Sequence, residues 1–320
     1  MKKVTALLFA LASASASAQT TLMLYTSQPN QDAQQTVAAF EKANPEIRVN
    51  WIRDGTTKLM ARFQAEKEAG VQSPDLLLIA DSVTMESLKE KGRLSPYVSR
   101  YQKDYDPSLY DAKGYYHGTK MITTGIAYHT QASFKPDSWW DFTKPEMKNL
   151  AVMPSPLYSG AALIHLATLT ENKAMGWHYY QQLKDNQVQA QGGNGGVLNA
   201  LSSGTKAYGA IVDYLAIREK AKGAPIEFVF PKEGVSMVTE PVAILSDSQN
   251  KVAAQKFVDF LLSEQGQEMV RSQGYLPASN NVGTPAGFPP REQIKMMAFH
   301  PKSALNNATE NKRQFAKIFN

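Results

Sequence analysis

The sequence contains no cysteine among its 320 residues, which excludes disulfides, thiolate metal sites and cysteine nucleophiles. No apolar run reaches the roughly 18–20 residues that a membrane-spanning helix needs. Basic residues number 34 and acidic residues 29, without any dense basic segment. This small excess of positive charge gives no indication of a nucleic-acid partner. The 43% of hydrophobic residues is typical of a globular protein of about two domains.

The N-terminus has the pattern of an export signal. Two lysines follow Met1, residues 4–11 are almost entirely apolar, and Ala16-Ser17-Ala18 offers the small residues of a cleavage site. We therefore predict that residues 1–18 are a signal peptide and that the mature chain begins near Gln19 in the periplasm. Removal of the two lysines leaves 32 basic and 29 acidic residues, a net charge of +3.

The first part of the mature chain alternates between the periodicities of strands and helices. This alternation predicts parallel βαβ units and an α/β sheet. The predicted strands are Thr21–Thr26, Ile47–Ile52 and Asp75–Ala80, and the predicted helices between them are Gln31–Asn44 and Lys58–Glu68.

A second α/β block covers residues 125–230, and buried strand and helix patterns resume after residue 238. This order predicts a discontinuous first lobe, 19–122 plus 245–285, and a second lobe, 123–244. Hinge strands are expected at 122–128 and 238–244, and a C-terminal helical segment, 286–320, should pack on the lobes. Two lobes joined in this way leave a cleft, which is a natural ligand site.

Several segments resemble periplasmic binding proteins of bacterial ABC importers. The similarity covers nearly the whole mature chain, and the order of the motifs is more specific than any one of them. The branch that it indicates takes in ferric-iron, phosphonate (2-aminoethylphosphonate) and sugar-phosphate binders. The motifs are Leu24–Ser27, Ser73–Leu77, Gly125–Tyr128, Ser138–Phe142, Lys148–Leu150 and Gln255–Gln267.

This resemblance implies the two-lobe α/β fold of type II periplasmic binding proteins. Each lobe is expected to hold a mostly parallel sheet flanked by helices, and two crossover strands should join the lobes. The expected partners are a small-molecule ligand and the membrane permease of an ABC transporter. We expect a monomer that uses no cofactor, and the fold by itself does not identify the ligand.

In such sheets ligands bind beyond the carboxyl ends of the strands, where loops lead into helix N-termini. Free N–H groups and the helix dipole favour an anion there. Thr56, Thr57 and Ser159 could instead be ordinary helix N-caps, and residues 192–196 could be a surface connection. The candidates in these loops are Ser27, Thr56, Thr57, Tyr158, Ser159, Gly160, Ala161 and Asn194.

A second group of candidates consists of acidic and hydroxyl-bearing residues near predicted strand ends. They are Asp81, Ser82, Asp213, Tyr214 and Glu240. A carboxylate at the cleft could bind an ammonium group, since a buried charge needs a partner. Asp213 could equally be the N-cap of a helix over Leu215–Ala221. Glu240 lies in an otherwise apolar run, which indicates a role in ligand binding or at the hinge.

These candidate residues are compatible with two hypotheses about the ligand. Ferric-iron members of the family usually carry two consecutive tyrosines after the strand that here ends at Val212. This sequence has Asp213-Tyr214 instead, and residues 27–30 lack the histidine that those members usually carry there. Tyr214 would be the metal ligand in that case, with a synergistic anion; otherwise no metal is expected. Helix N-termini together with carboxylates fit a zwitterion, so 2-aminoethylphosphonate is the preferred hypothesis.

Enzyme motifs are missing from the sequence. It has no Gly-x-Ser-x-Gly elbow, no Walker loop, no His-Glu-x-x-His and no dinucleotide glycine pattern. The five histidines show no metal-pair spacing. We therefore predict a binding protein, and an exported hydrolase is the alternative from another class. Turnover of a ligand would distinguish the hydrolase.

Overall fold

The computed structural model describes residues 19–71 and 74–319. The predicted signal peptide, 1–18, lies outside the described residues, as does Ser73 of one family motif. Among the described residues, no helix is long and apolar enough to cross a membrane. The predicted α/β class with two sheets flanked by helices is confirmed.

Strands and helices alternate along most of the described chain. The strands are β1 Thr20–Thr26, β2 Ile47–Arg53, β3 Leu76–Leu78, β4 Leu94–Ser95, β5 His117–Gly118, β6 Lys120–His129, β7 Ala151–Met153, β8 Gln189–Ala190, β9 Tyr208–Val212, β10 Ile226–Val229, β11 Ser236–Val238, β12 Pro241–Leu245 and β13 Leu276–Pro277. The α-helices are α1 Asn30–Ala43, α2 Thr56–Glu68, α3 Ser82–Glu90, α4 Gly160–Glu171, α5 Gly176–Asp185, α6 Asn194–Ser202, α7 Asp213–Ala221, α8 Lys251–Leu262, α9 Glu264–Ser272 and α10 Pro301–Phe319.

The first sheet has the strand order β2-β1-β3-β12-β4, and β5 also pairs with β12. Strand β1 is parallel to both β2 and β3, as the βαβ pattern predicted. Strand β12 enters antiparallel to β3, which the sequence pattern did not indicate. Helix α1 packs on this sheet through Phe40, whose ring meets Phe257 and Phe260 edge-on.

The second sheet has the strand order β10-β6-β9-β7-β8, and β11 and β13 also pair with β6. Strand β7 is parallel to β8 and β9, whereas the long central strand β6 is antiparallel to its neighbours. Trp139 anchors a short 3-10 helix beside this sheet, because its indole Nε1–H donates to the Gly234 carbonyl at 2.9 Å. Tyr180 of α5 is 2% exposed and belongs to the apolar cluster on this sheet.

The chain changes sheet between β5 and β6 and again between β11 and β12, and β13 later returns to pair with the start of β6 at Lys120 and Met121. The Thr119 hydroxyl connects the two crossings, since it donates to the Glu240 carbonyl at 2.9 Å. The expected hinge segment 122–128 lies wholly within β6. The expected segment 238–244 is divided between two strands, because Glu240 has φ +38° and interrupts the extended backbone. The exact lobe boundaries stay a prediction.

The C-terminal helix α10 packs against α3 on the first lobe and against α4 and α5 on the second. Its buried Phe315 joins an apolar cluster of the second lobe, and its buried Ala304 joins a cluster that also includes Val83 and Val270 of the first lobe. Helix α10 is therefore a further element that both lobes share, in addition to the two strand crossings.

Candidate functional site

A cavity of about 360 Å³ lies between the two sheets, and residues from both lobes form its wall. Nine of the thirteen residues predicted from the sequence to bind a ligand line this cavity. They are Ser27, Thr56, Tyr158, Ser159, Gly160, Ala161, Asn194, Tyr214 and Glu240. Their placement brings the two groups of candidates together, while their contact with a ligand stays a prediction.

The first residue of each of three helices lines the cavity. Thr56 is the first residue of α2, Gly160 of α4 and Asn194 of α6. The first N–H groups of a helix have no partner within the helix, and the helix dipole gives this end a partial positive charge. The three N-termini therefore supply N–H donors and positive potential to one enclosed space, which favours an anion.

Gly160 brings two of these helices together. A Cβ at this position would lie 2.6 Å from the Ala80 carbonyl oxygen and 2.9 Å from Thr56 Oγ1. The start of α4 in the second lobe therefore approaches the first lobe more closely than any larger residue allows. Ser159 caps the same helix, and its Oγ accepts from the Ala162 N–H at 3.3 Å. The N-cap alternative for Ser159 is thus correct, and the residue also lines the cavity.

Tyr158 spans the mouth of the cavity. Its hydroxyl donates to Asp54 Oδ1 at 3.1 Å, and its carbonyl accepts from the Thr57 N–H at 3.5 Å. Its ring packs so closely on Gly55 and Gly193 that a Cβ on either would lie 2.6 and 2.8 Å from ring carbons. Tyr158 of the second lobe therefore contacts the residues that directly follow β2 in the first lobe, through its hydroxyl, its ring and its carbonyl.

Ser27 and Asn194 fix the loops around the cavity. Ser27 Oγ accepts from the Ala80 N–H at 2.9 Å, which ties the ends of β1 and β3 together. Asn194 Oδ1 accepts from the Val212 N–H at 3.1 Å, and its Nδ2 approaches Ser159 Oγ at 3.4 Å. Both side chains hold the strand ends in place and face the cavity at the same time.

Arg53 is a lining residue that the sequence reasoning missed. It ends β2, and its Nε–H donates to the Gln28 carbonyl at 2.9 Å. The available signal was its position, since a basic residue directly precedes the Asp54-Gly55 turn at a strand end. Among the described residues, Arg53 is the one basic side chain that lines the cavity.

Glu240 is the one carboxylate among the described lining residues, and it is 2% exposed. Its Oε2 lies 2.6 Å from Nζ of Lys120, which is equally buried. The Lys120 ammonium also lies 4.1 Å from the centre of the Tyr275 ring. Burial raises the pKa of Glu240, and the charge of Lys120 opposes that rise. The expected role at the hinge agrees with this position.

Tyr214 reaches the cavity from the start of α7. Its ring lies against Tyr275 with 4.1 Å between ring centres, and the Arg218 guanidinium lies 5.3 Å from its centre. Burial raises the pKa of Tyr214 above the ordinary value for a phenol. The side chain is therefore a phenol and a hydrogen-bonding group at neutral pH, unless a cation displaces its proton.

Four candidates do not line the cavity. Asp81 caps α3, because its carboxylate accepts from the Thr84 N–H at 3.0 Å, and burial raises its pKa. Ser82 is the first residue of that helix, and Thr57 follows the lining residue Thr56. Asp213 is buried and accepts from the N–H and hydroxyl of Thr123 at 3.0 and 2.7 Å. Asp213 lies at a helix start, as the N-cap alternative implied, but it is the first residue of α7 and Val212 occupies the N-cap position.

Metal-binding groups are scarce in the described part of the chain. Residues 19–71 and 74–319 hold no group of three His, Cys, Asp or Glu side chains that could bind a metal ion. Of the histidines, His165 is buried beside Trp139 and approaches Ser236 Oγ at 2.9 Å, and His117 approaches Gln102 Oε1 at 2.8 Å. Both are internal packing residues, outside the cavity wall.

The family of bacterial extracellular solute-binding proteins matches residues 71–299, so the chain belongs to this family. It is 24% identical over 289 residues to the Fe(3+)-binding periplasmic protein of Serratia marcescens, covering 87% of this chain and 84% of that protein. It is 24% identical over 266 residues to spermidine/putrescine-binding periplasmic protein 1 of Haemophilus influenzae, covering 77% and 71%.

Among solved structures, the periplasmic binding protein AfuA of Actinobacillus pleuropneumoniae, with fructose-6-phosphate bound, superposes with a TM-score of 0.83. It is 23% identical and the match covers 93% of this chain and 97% of that one. At this identity the likeness shows the fold. The recognition of the chain as a solute-binding protein is thereby confirmed, and the type II two-lobe architecture with it.

Proposed function

We propose that this protein binds a small phosphonate in the periplasm and delivers it to the membrane permease of an ABC importer. The observation that carries the proposal is the convergence of the N-termini of α2, α4 and α6 on one cavity. Phosphonate oxygens accept several short hydrogen bonds, and N–H groups at helix starts supply them. Arg53 adds a full positive charge at the same wall.

The ligand that we favour is a zwitterion such as 2-aminoethylphosphonate. Of the three candidate carboxylates for its ammonium group, Asp81 and Asp213 lie outside the cavity wall and Glu240 lies in it. Glu240 is therefore the residue to which we assign the ammonium group. The cavity of about 360 Å³ is at the small end of ligand sites, which suits a ligand of this size.

Ferric iron is the second candidate, because two phenols, Tyr158 and Tyr214, line the cavity and phenolates suit a hard cation. Two observations weigh against it. The Tyr158 hydroxyl is already bonded to Asp54, and burial raises the pKa of Tyr214. Iron would have to displace both protons, and a synergistic anion would then occupy the helix N-termini.

A screen of the purified, ligand-stripped protein tests the proposal. It contains 2-aminoethylphosphonate, ethylphosphonate, phosphate, fructose-6-phosphate, Fe(III) with citrate, putrescine and spermidine. A ligand at one hundred times its Kd stabilises the protein by roughly 2.7 kcal/mol, which raises Tm by several degrees. We expect the phosphonates to give the largest shift, and calorimetry to show binding without turnover.

The contrary outcomes are specific. A red complex with iron that survives dialysis, and loses its colour in Tyr214→Phe, would overturn the phosphonate assignment. A shift with polyamines alone would overturn the anion assignment. Hydrolysis of a screened compound would indicate an enzyme. Periplasmic localisation is checked separately by intact mass, which should show a chain that starts at or near Gln19.

A further inference from the structure

The wall of the cavity contains a buried ion pair of which only one member faces the ligand space. Glu240 lines the cavity, while Lys120 lies behind it with Nζ 2.6 Å from Glu240 Oε2. The two side chains are 3% and 2% exposed. Water therefore screens their interaction poorly, and the charge on each strongly affects the other.

The positions of both residues are fixed by their surroundings. The Lys120 ammonium is held over the Tyr275 ring at 4.1 Å. The Glu240 backbone has φ +38°, and its carbonyl accepts from the Thr119 hydroxyl at 2.9 Å. Lys120 thus has a fixed place from which it compensates the charge of Glu240. It lies in β6 directly after the change of sheet, and Glu240 directly before β12.

We propose that Lys120 is a specificity-determining residue that acts through Glu240 and limits the attraction of the cavity for cationic groups. With Lys120 in place, the carboxylate is an acceptor whose charge is largely compensated, so it accommodates the single ammonium of a zwitterion but does not retain a dication. Without Lys120 the same carboxylate is uncompensated and attracts amines strongly. This inference rests on the proposed function for its zwitterion part and stands apart from it for the dication part.

A purely structural role of the pair is the competing explanation. The chain offers a comparison, the ion pair between Asp32 and Arg218, with Oδ1 and Nη1 2.9 Å apart and side chains that are 1% and 21% exposed. That pair joins α1 to α7, and neither member lines the cavity. Asp32 accepts from the Tyr275 hydroxyl, and Arg218 lies over the ring of the lining residue Tyr214. Replacing both members by neutral residues therefore disturbs the same surroundings with no change in net charge, and it leaves the Lys120 charge beside Glu240 in place.

The test compares the wild type with Lys120→Met, Glu240→Gln, the double variant and the control Asp32→Asn/Arg218→Gln. The measured quantity is the ratio of the Kd for ethylphosphonate to the Kd for 2-aminoethylphosphonate, because a loss of stability alone changes both constants together. In Lys120→Met we expect this ratio to rise about tenfold, as one charge at the wall becomes uncompensated. In Glu240→Gln, and in the double variant, the ratio should fall towards one.

Measuring putrescine binding gives a second test, which does not depend on the proposed ligand. Lys120→Met should gain measurable putrescine binding, while the wild type, the double variant and the Asp32/Arg218 control should show none. Gain of putrescine binding without phosphonate binding by the wild type would support the inference and refute the proposed function. A wild type that binds phosphonates, with an unchanged ratio and no putrescine binding in Lys120→Met, would refute the inference alone.

Whether each variant folds decides which binding measurements can be compared. Removing one member of a buried pair leaves an unpaired charge, whereas replacing both members by neutral residues is often tolerated. If Lys120→Met does not fold, Lys120→Gln, which also removes the positive charge, takes its place, and Glu240→Gln and the double variant are compared with the wild type as before. An amine preference that both of them retain would overturn the inference, because Glu240 would then not be the group through which Lys120 acts.

Discussion

Tyr158 is expected to act as a latch that holds the two lobes together over the ligand. Its hydroxyl donates to Asp54 Oδ1 at 3.1 Å across the cavity mouth. A hydrogen bond to a charged acceptor contributes about 1.5–3 kcal/mol. The Asp54 side chain is 39% exposed, so solvent screening reduces this to roughly 1 kcal/mol. Tyr158→Phe keeps the ring on Gly55 and Gly193 and removes only this bond.

A loss of roughly 1 kcal/mol changes the ratio of closed to open protein about fivefold. We therefore expect Tyr158→Phe to weaken ligand binding by up to about fivefold, mostly through faster dissociation. Calorimetry gives the affinity, and stopped-flow fluorescence gives the dissociation rate. The matched control is Tyr25→Phe, which removes a tyrosine-to-carboxylate bond of 2.6 Å to Glu66 within the first lobe. The control should reduce stability and leave affinity unchanged.

Direct contact between the Tyr158 hydroxyl and the ligand would also weaken binding, and a double-mutant cycle separates the two explanations. Asp54 does not line the cavity, so Asp54→Ala affects the ligand only through the latch and the local turn. If the latch explains the loss, Tyr158→Phe should add little to Asp54→Ala. Fully additive effects, or equal losses in Tyr25→Phe and Tyr158→Phe, would refute the latch.

Three further predictions follow from the burial of single groups. Thr56→Val should weaken phosphonate binding about tenfold by removing one donor, while Thr57→Val, which changes a residue outside the cavity wall, should not; equal losses by calorimetry would contradict this assignment. Burial raises the pKa of Asp213 to about 7, so the folded state binds this proton more tightly than the unfolded state does. The free energy of unfolding should therefore fall by up to roughly 4 kcal/mol as pH rises from about 4 through 7. Denaturant unfolding of Asp213→Asn should lack this decline, and a decline equal to that of the wild type would rule out Asp213 as its source. Burial lowers the pKa of His165 to about 3, so stability should fall as pH drops from about 6.5 towards 3, and His165→Gln should reduce this acid sensitivity in urea melts.

The elements of the fold were predictable where the local pattern and the tertiary environment agree. The run Leu76–Leu78 is fully buried in the centre of the first sheet, as a continuous apolar run predicts. Helix α1 ends before Asn44-Pro45, where proline stops a helix. Helix α3 was not predicted, although Asp81 is a good N-cap and the apolar residues behind it have helical spacing. The antiparallel entry of β12 depends on a pairing that no local pattern encodes.

The candidate site was predictable to the extent that topology determines it. Ser27, Thr56 and Ser159 line the cavity because each follows a strand at its carboxyl end, and the ends of parallel strands meet at one edge of a sheet. Which of the carboxylates lines the cavity could not be predicted in this way. Asp213 and Glu240 both lie at strand ends, yet one is held by Thr123 and the other reaches the cavity.

The charge at the wall of this cavity depends on a pairing between distant parts of the chain, since Lys120 at the start of β6 lies against Glu240, directly before β12. A polyamine-binding protein, an Fe(3+)-binding protein and a structure with a sugar phosphate all resemble this chain. The helix N-termini at the cavity of this chain favour an anion. The negative charge of Glu240 at the wall would weaken this preference for an anion. Lys120, with Nζ 2.6 Å from Glu240 Oε2, compensates that charge. The preference for an anionic or a cationic ligand is therefore set behind the cavity wall, at a residue that no inspection of the lining side chains would include.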